Sequence, residues 1–152
     1  MTNLFRTATL AVLIALGAGC MAEQKATTEL PDGWMVTVGS QGGFTGGGSG
    51  YQIRANGHVR SWRRLTPRDS IETQRLGTAS GASLRELYAA MTSAELRDLE
   101  LSETGNMTAL LDWSMGDDSR HYSWPEGSEP PGAVARAREA AMAAVHNAEG
   151  AR

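Results

Sequence analysis

The decapeptide Gln41–Gly50, QGGFTGGGSG, is the first place in this sequence where chemistry could be concentrated. Six of its ten residues are glycine, which would suit a phosphate cradle. A phosphate loop also needs a lysine that reaches the phosphates, or a helix whose N-terminus receives them. Lys25 is the only lysine of the chain, and no helix-forming run follows Gly50. The three histidines, His58, His121 and His146, are far apart, with no H-x-x-x-H spacing that would offer two metal ligands on one helix face. The pair Asp117–Asp118 fits a turn as well as a cation. No G-x-S-x-G nucleophile elbow is present. Paired carboxylates of the glycosidase kind have no local signature either. These residues predict a non-enzyme, with no catalytic set, no metal, no cofactor and no nucleotide.

Phe44 stands apart because it sits between glycine pairs. An aromatic ring in such a loop must pack inward or bind something. The inward plug is the favoured reading; the other makes Gly42, Gly43, Phe44, Thr45 and Gly46 a partner-binding surface.

The last chemically distinctive residue is Cys20, the only cysteine, so no intramolecular disulfide can form. It ends a segment with one charge, Arg6, and an apolar run, ATLAVLIALGAG, too short to span a bilayer. A basic start, a short apolar run and small residues before a cleavage point describe a secretory signal over residues 1–19. The stretch LGAGC resembles the lipobox of bacterial lipoproteins, with Leu16 one residue early and Gly17 in the usual aliphatic place. That resemblance implies acylation of Cys20 and anchoring of the chain to the cell envelope. Met21 after the cysteine, rather than Asp, implies the outer membrane, facing the periplasm or the cell surface. The alternative is a plain secretory signal cleaved nearby.

Residues 20–29 are polar and lack aromatics, and so predict a flexible tether. A single domain is expected over residues 30–148. The whole chain carries a formal net charge of −3; loss of the signal removes Arg6 and leaves about −4, which gives nucleic-acid binding no electrostatic support. Arg60, Arg63 and Arg64, in RSWRRL, form a local basic patch that reads as a solvated strand face.

The elements that must position these residues follow from periodicity. WMVTVG (34–39) alternates as a strand, with Trp34, Val36 and Val38 on one side. YQIRANGHVRSW predicts a hairpin with a type I′ turn at Asn56–Gly57, which would set Ala55 against His58, Ile53 against Arg60 and Tyr51 against Trp62. Residues 66–81 read as a loop with part of a strand at 71–76. Ser83 and Glu86 predict a capping box for a helix with Leu84, Leu87, Tyr88 and Met91 inward. Thr92 or Ser93 caps a second short helix. NMTALLDWSM and RHYSW form a second hairpin, and the alanine-rich run 133–148 forms a long helix, with Val134, Ala137, Ala141, Met142 and Val145 inward. Strands in hairpins and segregated helices predict an α+β fold: an antiparallel sheet of four or five strands with two short helices and a long C-terminal helix on one face.

Three stretches, in this order, resemble the emfourins, small bacterial protein inhibitors of thermolysin-like metallopeptidases. They are VTVGSQGGFTGGGSGYQI, GNMTALLDW and PPGAVARAREAAMAAV. The resemblance covers residues 34–147 and implies a shared fold. It further implies that Gly42–Gly46 contacts a protein partner, a metallopeptidase. The alternative function is a structural or accessory envelope lipoprotein without inhibitory activity.

Overall fold

The structure, a computed structural model, describes residues 29–151. The signal segment, Cys20 and all but the last residue of the tether lie outside the described residues. Nine elements follow one another: β1 (Trp34–Gly42), β2 (Gly47–Arg54), β3 (His58–Arg64), β4 (Glu72–Thr78), α1 (Gly81–Met91), α2 (Ala94–Arg97), β5 (Met107–Met115), β6 (Asp118–Pro125) and α3 (Gly132–Gly150).

The class is α+β, but the sheet has six strands rather than four or five, in the order β4-β3-β2-β1-β5-β6, all antiparallel. The additional strand is β4, whose polar sequence ETQRLGT shows little alternation. Its pairing to β3 and the packing of α3 beside it hold it in place. Gly47–Gly50, expected as loop, is the start of β2.

The hairpin at Asn56–Gly57 forms, with a different turn and therefore a different register. Gly57 has φ +82°, while no non-glycine residue among those described, Asn56 included, has positive φ, so the type I′ turn is ruled out. Instead Gly57 N–H donates to Arg54 C=O (2.8 Å), and Asn56 Oδ1 accepts from His58 N–H (3.1 Å). This is the three-residue loop with a left-handed glycine at its end. It moves the pairing by one residue: Ile53 faces Val59, Tyr51 faces Ser61 and Gly50 faces Trp62. A one-residue slip exchanges the faces. Val59 goes into the core under the helices, and Trp62 goes to the opposite, open face of the sheet.

On the helix face the core is built from Trp34, Val36, Val38, Ile53, Leu111 and Trp113, closed by residues of all three helices. Trp34 and Trp113 stack with centroids 5.6 Å apart, and Tyr88 of α1 meets both. Helix α1 is capped by Ser80, whose hydroxyl accepts from Ser83 N–H, so the helix starts earlier than the Ser83–Glu86 box predicts. Ser93 caps α2. Helix α3 buries Val134, Ala137, Ala141, Ala144, Val145 and Ala148, whereas Met142 is half-buried. Its alanines permit close approach to the sheet: a Cβ on Gly77 of β4 would overlap the Ala148 carbonyl.

Tyr122 of β6 ties the sheet to α2. Its ring is 2% exposed, and its hydroxyl donates to Leu96 C=O at 2.7 Å. Burial raises its pKa above 10.0, against a smaller lowering by Arg120. The folded state therefore favours the protonated phenol. This group leaves stability constant below about pH 10 and lowers it as pH rises further. Tyr122→Phe should cost about 1–2 kcal/mol at neutral pH by orphaning the Leu96 carbonyl. It should also flatten the alkaline fall in stability, as read by urea denaturation at several pH values.

Candidate functional site

The glycine-rich connection is a tight turn, not a long loop. Gly46 N–H donates to Gly43 C=O (3.2 Å), which closes the turn over Phe44 and Thr45. The turn is fixed on both sides. Gly42 (φ +119°) and Gly43 (φ +69°) run against the start of β5: Gly43 N–H donates to Asn106 C=O, and a Cβ on Gly42 would stand 2.5 Å from that same oxygen. At the other end Gly46 (φ +65°) abuts Pro67, whose Cγ lies 2.9 Å from where a Cβ would be. A side chain at Gly42 would meet both the left-handed backbone and the Asn106 carbonyl.

These contacts hold Phe44 out of the protein. The ring is fully exposed (107%), so the inward plug is wrong. The reason is geometric: with the turn closed and Gly42 and Gly46 lying against Asn106 and Pro67, no interior space lies beneath residue 44. Gly42, Gly43, Thr45 and Gly46 are brought together with it as the frame of the turn.

Two more residues complete the surface. Leu65 (56% exposed) follows β3 and Ile71 (53% exposed) precedes β4. With Phe44 they are the exposed large hydrophobic residues among those described. All three lie at the end of the sheet where β1 and β3 finish and β4 begins. A shallow cleft of about 340 Å³ lies by the turn, lined among others by Thr45, Arg63, Leu65 and Met107. Sequence reasoning missed Leu65 and Ile71 because the β3–β4 connection has no periodicity. The available signal was an apolar residue at each end of a polar loop.

Elsewhere the chemical residues are dispersed. His121 Nδ1 pairs with Asp112 Oδ1 on the open face, and Asp118 pairs with Arg120 at 3.0 Å at the start of β6. His58 and His146 stand apart on β3 and α3. Among the described residues no three of His, Cys, Asp and Glu converge on a metal position. A larger cleft, about 610 Å³, opens on the helix face beside α3, where Ser40, Ser49 and Ser61 stand near Glu72, Gln74 and Arg138. No histidine lines it, and Ser61 donates to the Gln74 carbonyl, so these hydroxyls have no histidine base to activate them. The chain matches no protein-family model, and no curated protein is similar to it.

The placement of Phe44 separates contact from architecture. Phe44→Ala should leave stability within about 0.5 kcal/mol, whereas Gly42→Ala should cost about 1–3 kcal/mol. Denaturant unfolding checks both; a loss above 2 kcal/mol for Phe44→Ala would show that the ring packs inward after all.

Proposed function

We propose that the chain is a lipid-anchored domain of the cell envelope that binds protein through the rim carrying Phe44. Following its resemblance to the emfourins, its partner is a thermolysin-like metallopeptidase, which it inhibits. The observation that carries this reading is a wholly exposed phenylalanine on a turn fixed at both ends. A ring carried in water gains nothing from the fold, while an aromatic anchor on an already fixed backbone turn has less entropy to lose on binding. Leu65 and Ile71 extend the apolar contact. The site needs no cofactor and performs no chemistry of its own.

The rim also faces a suitable direction for an anchored protein. Strand β1 leads from the tether side at Trp34 to the turn, roughly 27 Å along the sheet at about 3.3 Å per residue. The contact surface then lies at the end remote from the anchor.

Two measurements test the reading. A Cys20→Ser chain should fail to incorporate a fatty-acid analogue; labelling that persists would refute the anchor. Residues 21–152, titrated against a thermolysin-type peptidase, should inhibit it, and Phe44→Ala should weaken inhibition by about thirtyfold, the loss of one anchor residue. A peptidase untouched by excess protein removes that target. Retention of another envelope protein, lost on Phe44→Ala, would then keep the rim as a binding surface. Retention of nothing at all leaves the accessory, non-inhibitory lipoprotein.

A further inference from the structure

The open face of the sheet carries a second surface. Strand alternation and register put Arg54 of β2, Arg60 and Arg64 of β3 and Arg75 of β4 on it, around Trp62. The neighbouring positions of β1 and β2 on this face are Met35, Thr37, Gln41 and Gln52, so no carboxylate of these strands interleaves the arginines; Asp32, before β1, lines a cleft with Arg54 but forms no ion pair with it. Asp112, on β5, is already paired with His121, and Glu72 points to the helix side. None of the ion pairs among the described residues includes these four arginines. Arg60 and Arg75 are register partners, two like charges directly opposite across adjacent strands. Such a pair destabilises a sheet unless an anion lies over it. Arg64 Nε is buried without an acceptor, so its stem is held by packing and not by an ion pair.

We propose that this face rests on a membrane surface and binds the phosphates of anionic lipid headgroups. Three features select that occupant. First, the surface is electrostatic only. Among the described residues the exposed large hydrophobic ones are all at the rim, so the face lacks the aromatic anchors of a protein interface. Second, its one aromatic, Trp62, is 7% exposed and offers no ring for bases to stack on, as single-stranded nucleic acid requires. Third, the chain enters the sheet beside it. Met35 is the register partner of Arg54, and Trp34 C=O accepts from Ala55 N–H at 3.0 Å. On the reading of Cys20 as the lipid-bearing terminus, on which this inference rests, Trp34 stays within about 50 Å of the bilayer even with the intervening chain fully extended. The helix side sets six exposed carboxylates, Glu86, Glu95, Asp98, Glu100, Glu139 and Glu149, against four exposed arginines, Arg85, Arg97, Arg136 and Arg138, and with that acidic balance would turn away from the anionic surface. The rim, at the end of the sheet, remains open in this orientation.

The test uses the chain from residue 21, so that neither acyl chains nor the apolar signal segment mask the effect. Its binding is measured by co-sedimentation with vesicles of phosphatidylcholine alone and of phosphatidylcholine mixed with phosphatidylglycerol. Binding should be stronger to the anionic vesicles and should fall with added salt. Arg54→Gln/Arg60→Gln/Arg75→Gln should weaken anionic binding by about a hundredfold, roughly fivefold per arginine. It should not lower the melting temperature, because it removes the Arg60–Arg75 repulsion. Arg85→Gln/Arg97→Gln/Arg136→Gln, the same charge change on the helix side, should not reduce it. Equal binding to both vesicle types, equal loss in both triple variants, or a preference for a single-stranded oligonucleotide over vesicles would each overturn the proposal. Phe44→Ala should leave the vesicle preference intact, so this result and the peptidase titration can fail independently.

Discussion

Trp62 lies down on a floor of bare backbone, and the sheet is organised around that contact. One cross-strand row reads Thr73, Trp62, Gly50, Gly39, Leu110, Ser123. Two glycines in the middle of the row leave room for the indole. Cβ atoms on Gly39, Gly48 and Gly50 would each come within about 3 Å of it. A tryptophan buries about 150–250 Å², worth about 4–6 kcal/mol at 25 cal/mol per Å². Three glycines in strands cost about 0.5–1 kcal/mol each against alanine. The burial therefore outweighs the glycines, and a face without helices acquires a sealed centre. The indole N–H has no acceptor among the described residues, a smaller penalty than the burial gain.

The same contact divides the glycine-rich stretch into two jobs. Gly48 and Gly50, with Gly39 across the strand, serve packing. Gly42, Gly43 and Gly46 serve the turn. Because the first group keeps β1 and β2 close and extended up to Gly42 and Gly47, the connection between them is only four residues long. A connection that short, pressed against Asn106 and Pro67, has no freedom to fold Phe44 back. Exposure of the ring is thus a consequence of how tightly the strands beneath it pair, not of a mobile loop.

The architecture was legible where periodicity and composition agree. The alternation of β1 and β5, the alanine-rich α3 and the α+β class all follow from residues that face one core. The register of β2 against β3 was not legible, because Asn-Gly suits two turns that differ by one residue. The choice between them depends on whether Val59 or Trp62 goes under the helices, and a floor made by Gly39, on a different strand, decides it. β4 was faint for a related reason: its partner and its covering helix are remote in sequence, and its own side chains carry almost no pattern. Of the candidate site, the turn residues stood out by composition. Leu65 and Ile71 did not, since an exposed apolar residue gains meaning only from its neighbours in space. The direction of Phe44 was misjudged because the rule that aromatics are buried is a statement about averages, and a turn with no interior beneath it is outside its reach.

The two surfaces of the domain differ in a way that bears on how they would work together. The rim is apolar and small; recognition there would rest on shape and desolvation, which act at contact. The open face is charged; an attraction to an anionic plane would act over about a Debye length, about 8 Å at physiological salt. An interaction of the second kind orients a tethered domain without fixing its position, because headgroups are exchangeable. An interaction of the first kind fixes a partner but gains nothing from a distance. With one on the face of the sheet and one at its end, they would not compete for the same orientation. A charge that held the sheet face down would leave Phe44, Leu65 and Ile71, at the end of the sheet, free to meet a partner.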